Sequence, residues 1–165
     1  MPAPTRLPAY ELDLCIADIN RLLNLTLSPG RVWFSSAAHA KTATRHARDY
    51  NVVLRHLGAC CRAPTYIGLH AKHPGNVELI LEAPGDDGAS NVLVAITVTP
   101  NARGNYSVKS AYRILEDEVT ERIARGSVHR VTPETQKARN PQMRSEPSES
   151  PTRMQSRISW EPCGS

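Results

Sequence analysis

The chain has 165 residues, with 20 Lys and Arg against 16 Asp and Glu, for a net charge of +4. No apolar run approaches the ~20 residues that cross a bilayer. The opening MPAPTRLPAYELD has no apolar stretch of the secretory kind, so neither a membrane span nor export is expected. The four cysteines are Cys15, Cys60, Cys61 and Cys163; adjacent Cys60 and Cys61 are poor disulfide partners. No CxxC, HExxH or spaced Cys/His set offers a metal site. The expectation is a cytoplasmic protein with free thiols and no metal or cofactor.

In chain order, Leu12, Ile16, Ile19 and Leu23 recur at helical spacing, with Cys15 and Leu22 widening the stripe. This predicts a first amphipathic helix, ended by the turn formers Ser28-Pro29-Gly30. Arg31–Ser35 is a short β-prone run. Ser36 is placed to cap an alanine-rich helix carrying His39, Ala43 and His46 along one face. Asp49 is placed to cap a third helix, with Val53, Leu54, Leu57 and Cys61 as its buried stripe and Pro64 as its stop.

The period then changes to two. Tyr66–Leu69, Val77–Leu81, Asn91–Thr99 and Tyr106–Tyr112 read as four strands, joined by connections rich in Pro, Gly, Asn and Asp. Such short connections favour an antiparallel meander. Glu116–Arg125 closes the domain as a helix with acids first and arginines last, as the helix dipole prefers, and Gly126 stops it. From Ser127 to Ser165 there are seven Ser, five Pro and few apolar residues. Such a segment cannot bury enough apolar surface to offset its chain entropy, so a disordered tail is expected. The expected architecture is one α+β domain over residues 7–126. Its N-terminal helices pack on a four-stranded antiparallel β-sheet, and a short C-terminal helix and the 127–165 tail follow.

The charge is unevenly placed. Arg31–His73 holds Arg31, Lys41, Arg45, Arg48, Arg55, Arg62 and Lys72 and five of the six histidines, against the one acid Asp49. Pro74–Pro100 holds four acids and no Lys or Arg. A basic, histidine-rich segment suits binding a polyanion and moving protons near neutral pH, although such a run is often only a solvated face. Three clusters are candidates for chemistry. His46 lies between Lys41, Arg45 and Arg48, a cationic setting that disfavours the imidazolium and suits a general base. His70, Lys72 and His73 gather at a strand end, where Lys72 could hold a phosphate and His70 deliver a proton. Ser110 and Tyr112 share one face of a strand, opposite Lys109 and Ala111. If they converge, these groups suit metal-free cleavage of RNA, in which the 2′-hydroxyl is the nucleophile and the protein supplies a base, an acid and cations.

Four blocks then occur in order: Trp33-Phe34-Ser35-Ser36 leading into Arg45-His46; Ala63–Lys72, containing P-x-Y-I-G-x-H-x-K; Val77-Glu78-Leu79-Ile80; and Val92–Val98 with Tyr106–Tyr112. Together they resemble the phage-type barnase/EndoU/colicin/RelE-like (PBECR) nuclease domains over about residues 12–125. The resemblance implies two N-terminal helices on a four-stranded antiparallel sheet and a metal-independent RNase of toxin or mobile-element type. Carried over by position, it implies His46, His70, Ser110 and Tyr112 as catalytic groups. Arg45, Arg55, Lys72 and Lys109 are the cations expected to meet the RNA backbone. The family often has Thr where this chain has Ser110. Glu78 matches a recurring acid that would fix His70 or Lys72 across the hairpin. Expected partners are RNA, with tRNA a candidate, and an antitoxin or immunity-like protein. The competing functions are a non-catalytic RNA-binding or phage-associated module and a protein-interaction domain. Convergence of His46, His70 and Tyr112 in one cleft would favour the enzyme; their dispersal, with the basic charge spread on a convex face, would favour binding only.

Overall fold

The computed structural model describes residues 9–85 and 88–132. Most of the expected tail lies outside the described residues. The fold is α+β, with four helices and a seven-stranded sheet among the described residues. Elements follow in the order β1 (Tyr10–Leu12), α1 (Ile16–Leu23), β2 (Val32–Phe34), α2 (Ser36–Arg45), α3 (Tyr50–Arg62), β3 (Tyr66–Leu69), β4 (Asn76–Gly85), β5 (Gly88–Thr97), β6 (Tyr106–Ile114), α4 (Glu116–Ala124) and β7 (Val128–Arg130). Across the sheet the strand order is β1-β2-β6-β5-β4-β3-β7.

The four expected strands are present as the central meander β3-β4-β5-β6, antiparallel throughout. The expectation of a four-stranded antiparallel sheet is nevertheless corrected. Three short strands extend the meander, and one of them, β2, runs parallel to β6, so the sheet is mixed. β1 occupies residues that the helical stripe had absorbed, because Leu12 fits both periods; α1 begins only at Ile16. β7 lies beyond the expected boundary at Gly126 and pairs with β3. The sheet passes over Gly68 closely enough to require glycine: a Cβ there would stand 2.1 Å from the Ser127 carbonyl oxygen. Gly126, at φ +70°, makes the left-handed turn that ends α4 and starts β7.

Capping also differs in detail from expectation. Ser35, not Ser36, caps α2, its hydroxyl accepting from the Ala38 N–H at 3.1 Å. Asp49 holds the N-cap position of α3 without capping it. Its carboxylate stands 4.0 Å from Arg113 of β6 instead.

Period two gives the sheet two different faces. On one, Leu79, Val92, Val94, Ile96 and Ala111 pack against Ile19 of α1 and Val53, Leu57, Cys60 and Cys61 of α3. On the other, Tyr66, Ile80, Leu93, Ala95 and Ile114 pack against Val119 of α4. The larger core therefore lies under α1 and α3. Among the described residues, the second face is covered by one short helix, α4, which reaches only part of it. No helix among the described residues is long and apolar enough to cross a membrane.

Burial raises the pKa of the Cys60 and Cys61 thiols and of the Tyr10, Tyr66, Tyr106 and Tyr112 hydroxyls. The folded chain then holds these protons at a pH where the unfolded chain has released them. Their contribution is complete below the ordinary values, 9.0 for thiols and 10.0 for phenols, and is lost as pH rises through the folded values. Thermal unfolding followed by circular dichroism should give a Tm that falls steadily between about pH 9 and 11. A Tm that is level or rising across that window contradicts the assignment.

Candidate functional site: a buried carboxylate and its cations on the α4 face

The open part of the α4 face is set by register. One rung across the sheet reads Ser110, Ala95, Glu78, Gly68 and Val128. The next reads Tyr112, Leu93, Ile80, Tyr66 and Arg130. Partners in a rung share a face, so Ser110, Tyr112 and Glu78 point to the same side. Ala95 and Gly68 flank Glu78 with little or no side chain, whereas the second rung is filled by large residues.

Glu78 is 4% exposed. A carboxylate at that depth requires compensation. Arg122 of α4 supplies it, donating from Nε to Glu78 Oε2 at 3.3 Å. The other oxygen, Oε1, faces His70 Nε2 at 3.7 Å, too long for a hydrogen bond but an ion-pair distance if His70 is charged. His70 Nδ1 accepts the backbone N–H groups of both Lys72 and His73, each at 3.1 Å. A nitrogen that accepts two donors carries no proton, so the neutral ring holds its proton on Nε2. Of the two turn residues that Glu78 was expected to fix, His70 lies 3.7 Å from it, and Lys72 makes no hydrogen bond or ion pair with it.

His46 arrives from the other side. Beyond Ser107, β6 has lost β2 as its neighbour, and α2 packs beside it; Lys41 Nζ donates to the Lys109 carbonyl at 3.1 Å. The chain turns at the end of α2, and the C-cap residue, His46, stacks on Tyr112 with ring centroids 5.2 Å apart and planes at 24°. Burial, and then the nearby Glu78 charge, raise the Tyr112 pKa; Arg122 opposes them. The phenol therefore keeps its proton through the neutral range and acts as a donor.

Four of the expected residues, His46, Tyr112, Ser110 and His70, lie on or beside this face. Two contacts are made here, His46 with Tyr112 and His70 with Glu78, and the charges of Glu78 and Arg122 act on the Tyr112 phenol. His46 and His70 flank it from opposite sides and do not touch. Among the expected cations, Lys72 lines a cleft of about 490 Å³ with His70, His73, Glu78, Arg122 and Arg125. Arg45 is exposed at the end of α2, next to His46. Lys109 is exposed where the register shifts by one residue, Ala95 pairing with Ser110 but Ile96 with Val108.

Arg55 does not join them. It stands exposed on α3, which covers the opposite face of the sheet. The basic segment as a whole is divided by the fold. Arg31 pairs with Glu11 at 2.9 Å and Asp13 at 3.5 Å at the β1–β2 edge, exposed contacts worth at most about 1 kcal/mol. His39 is buried, bonded through Nε2 to the Tyr50 hydroxyl at 2.5 Å and packed on Phe34, so it belongs to the core. Arg122 and Arg125 were not singled out by the sequence. Their acids-first, bases-last helix gives a sufficient local reason for arginines there, and the partner Glu78 lies 44 residues away. No protein-family model, curated protein or solved structure matches the chain.

Removing one member of the Glu78–Arg122 pair should reveal the coupling. Arg122→Met leaves a buried carboxylate with its main cation gone and should cost about 1–3 kcal/mol in urea unfolding. Glu78→Gln in the same background should recover part of that loss. Equal stability of Arg122→Met and the parent would show that the pair is not coupled.

Proposed function

We propose that the protein is a metal-independent endoribonuclease of toxin or mobile-element type, acting in the cytoplasm on RNA, with tRNA a candidate substrate. The observation that carries this reading is the line of proton-transferring groups on one sheet face, bordered by a cationic cleft. The roles follow from the protonation states that the geometry favours. Tyr112 keeps its proton, and His70 presents Nε2–H while its Nδ1 is taken up by backbone donors. Both are donors. His46, whose ring is placed by its stack on Tyr112, is left as the base.

In this scheme His46 takes the proton of the ribose 2′-hydroxyl, whose oxygen attacks phosphorus. Tyr112, in contact with His46, gives a proton to the leaving 5′-oxygen as the P–O bond breaks. His70 Nε2–H and Arg122 stabilise the negative charge that grows on the phosphoryl oxygens. The products are a 2′,3′-cyclic phosphate and a free 5′-hydroxyl. Ser110, one rung from Tyr112, would orient the attacking ribose. An antitoxin or immunity-like partner would act by covering the same face.

A second reading, RNA binding without cleavage, is favoured by one feature: His46 and Tyr112 lie outside the cleft that His70 lines, so the three do not converge in one cleft. The cations of the cleft would still hold RNA in a strongly salt-dependent way.

Purified protein incubated with total RNA in excess EDTA should produce new ends bearing 2′,3′-cyclic phosphate. His46→Ala should lower that cleavage at least about 100-fold, the scale of a lost general base. Tyr112→Phe keeps the ring under His46 and should lower it by about 10- to 100-fold. Wild-type activity in His46→Ala would remove that residue from the mechanism, and an inert but folded parent protein would leave only the binding reading.

A further inference from the structure

We infer that the cleft between the β3–β4 turn and the last turn of α4 is a mononucleotide subsite. Lys72, Arg122 and Arg125, with the Nε2–H edge of His70, would take the phosphate, and the ring faces of His70 and His73 would take the base. The inference deepens the ribonuclease reading and rests on it for the class of ligand.

The size fits. At about 490 Å³ the cleft falls within the range of small-molecule sites and has room for one nucleotide. Its charge is appropriate for a phosphate. The single acid in its lining, Glu78, is at the floor and already paired with Arg122, while Lys72 and Arg125 stand exposed at its edges. Lys72 Nζ bonds to no described residue. Among the described residues Arg125 is held only by its own helix, through the Glu121 carbonyl at 3.4 Å and carboxylate at 3.5 Å, so its guanidinium can turn to an incoming anion.

The aromatic part is equally specific. His70 and His73 have ring centroids 4.8 Å apart with planes at 44°, a contact made possible by the turn that His70 Nδ1 itself closes. Leu69, 38% exposed, adds apolar surface beside them. A tilted pair of flat rings beside an exposed leucine suits the π-face of a base better than it suits a bare anion. A simple phosphate site would have no use for this side of the cleft.

The test uses the full chain and three probes at low salt in EDTA: adenosine 5′-monophosphate, inorganic phosphate and adenosine, each followed by calorimetry and chemical-shift titration. The monophosphate should bind at least about tenfold more tightly than either half alone. Lys72→Ala and Arg125→Ala, both exposed and safe for folding, should each weaken it about fivefold or more, as loss of a charge-assisted hydrogen bond does. His73→Ala should weaken the monophosphate and leave inorganic phosphate unchanged. A monophosphate that binds no more tightly than phosphate, or one indifferent to the three variants, overturns the subsite. The RNA assay separates the two claims. Cleavage without monophosphate binding removes the subsite and leaves the ribonuclease. Monophosphate binding without cleavage supports the subsite and removes the catalysis.

Discussion

A carboxylate buried in the middle of a sheet face is the constraint on which the rest of the site depends. Glu78 is on a central strand between Ala95 and Gly68, where no neighbour in its rung can hydrate or bond it. Its charge has to be compensated from above the sheet, and that is where α4 delivers Arg122. The same carboxylate adds to the burial that raises the Tyr112 pKa and lies 3.7 Å from His70. One acidic side chain thus ties together a helix, the β3–β4 turn and the phenol of β6. Ion pairs buried in this way contribute little net stability, so their value here is in fixing the positions of the groups around them.

The two ends of the site are fixed by backbone features. At one end, β2 stops after two pairs with β6, and α2 takes its place beside the strand, which carries His46 onto Tyr112. At the other, His70 Nδ1 gathers two backbone N–H groups and so holds the turn that displays Lys72 and His73. Both histidines are positioned by the chain around them and not by each other. Among the described residues α4 alone covers this face, in contrast to the dense core under α1 and α3.

Much of this was legible in the sequence, and the reasons for the exceptions are physical. Period two and clustered turn formers marked β3 to β6, and the helical period marked α1 and α3, while α2 was legible from its alanines and serine cap and α4 from its order of charges. β1 and β7 have three residues each, too few to show any period, and they owe their existence to pairing partners distant in sequence. His46, His70, Ser110 and Tyr112 could be chosen by residue type and local setting. Arg122 could not, since its significance comes from a contact with a strand far upstream. The basic run misled in part: Arg31, Arg55 and Lys72 are close in composition but are sent to an edge, to the α3 side and to the cleft. Charge along a chain becomes charge on a face only after folding.

The central claim is that RNA is handled on the α4 face, around Glu78. The most direct measurement is chemical-shift mapping of the folded protein with a short RNA whose 2′-hydroxyls are methylated, which can bind but cannot be cleaved. The account predicts perturbations at His46, Tyr112, His70, Lys72, Arg122 and Arg125, lost in high salt. Perturbations centred on Arg55, His56 and Arg62 of α3, or none at all at low salt, would contradict it.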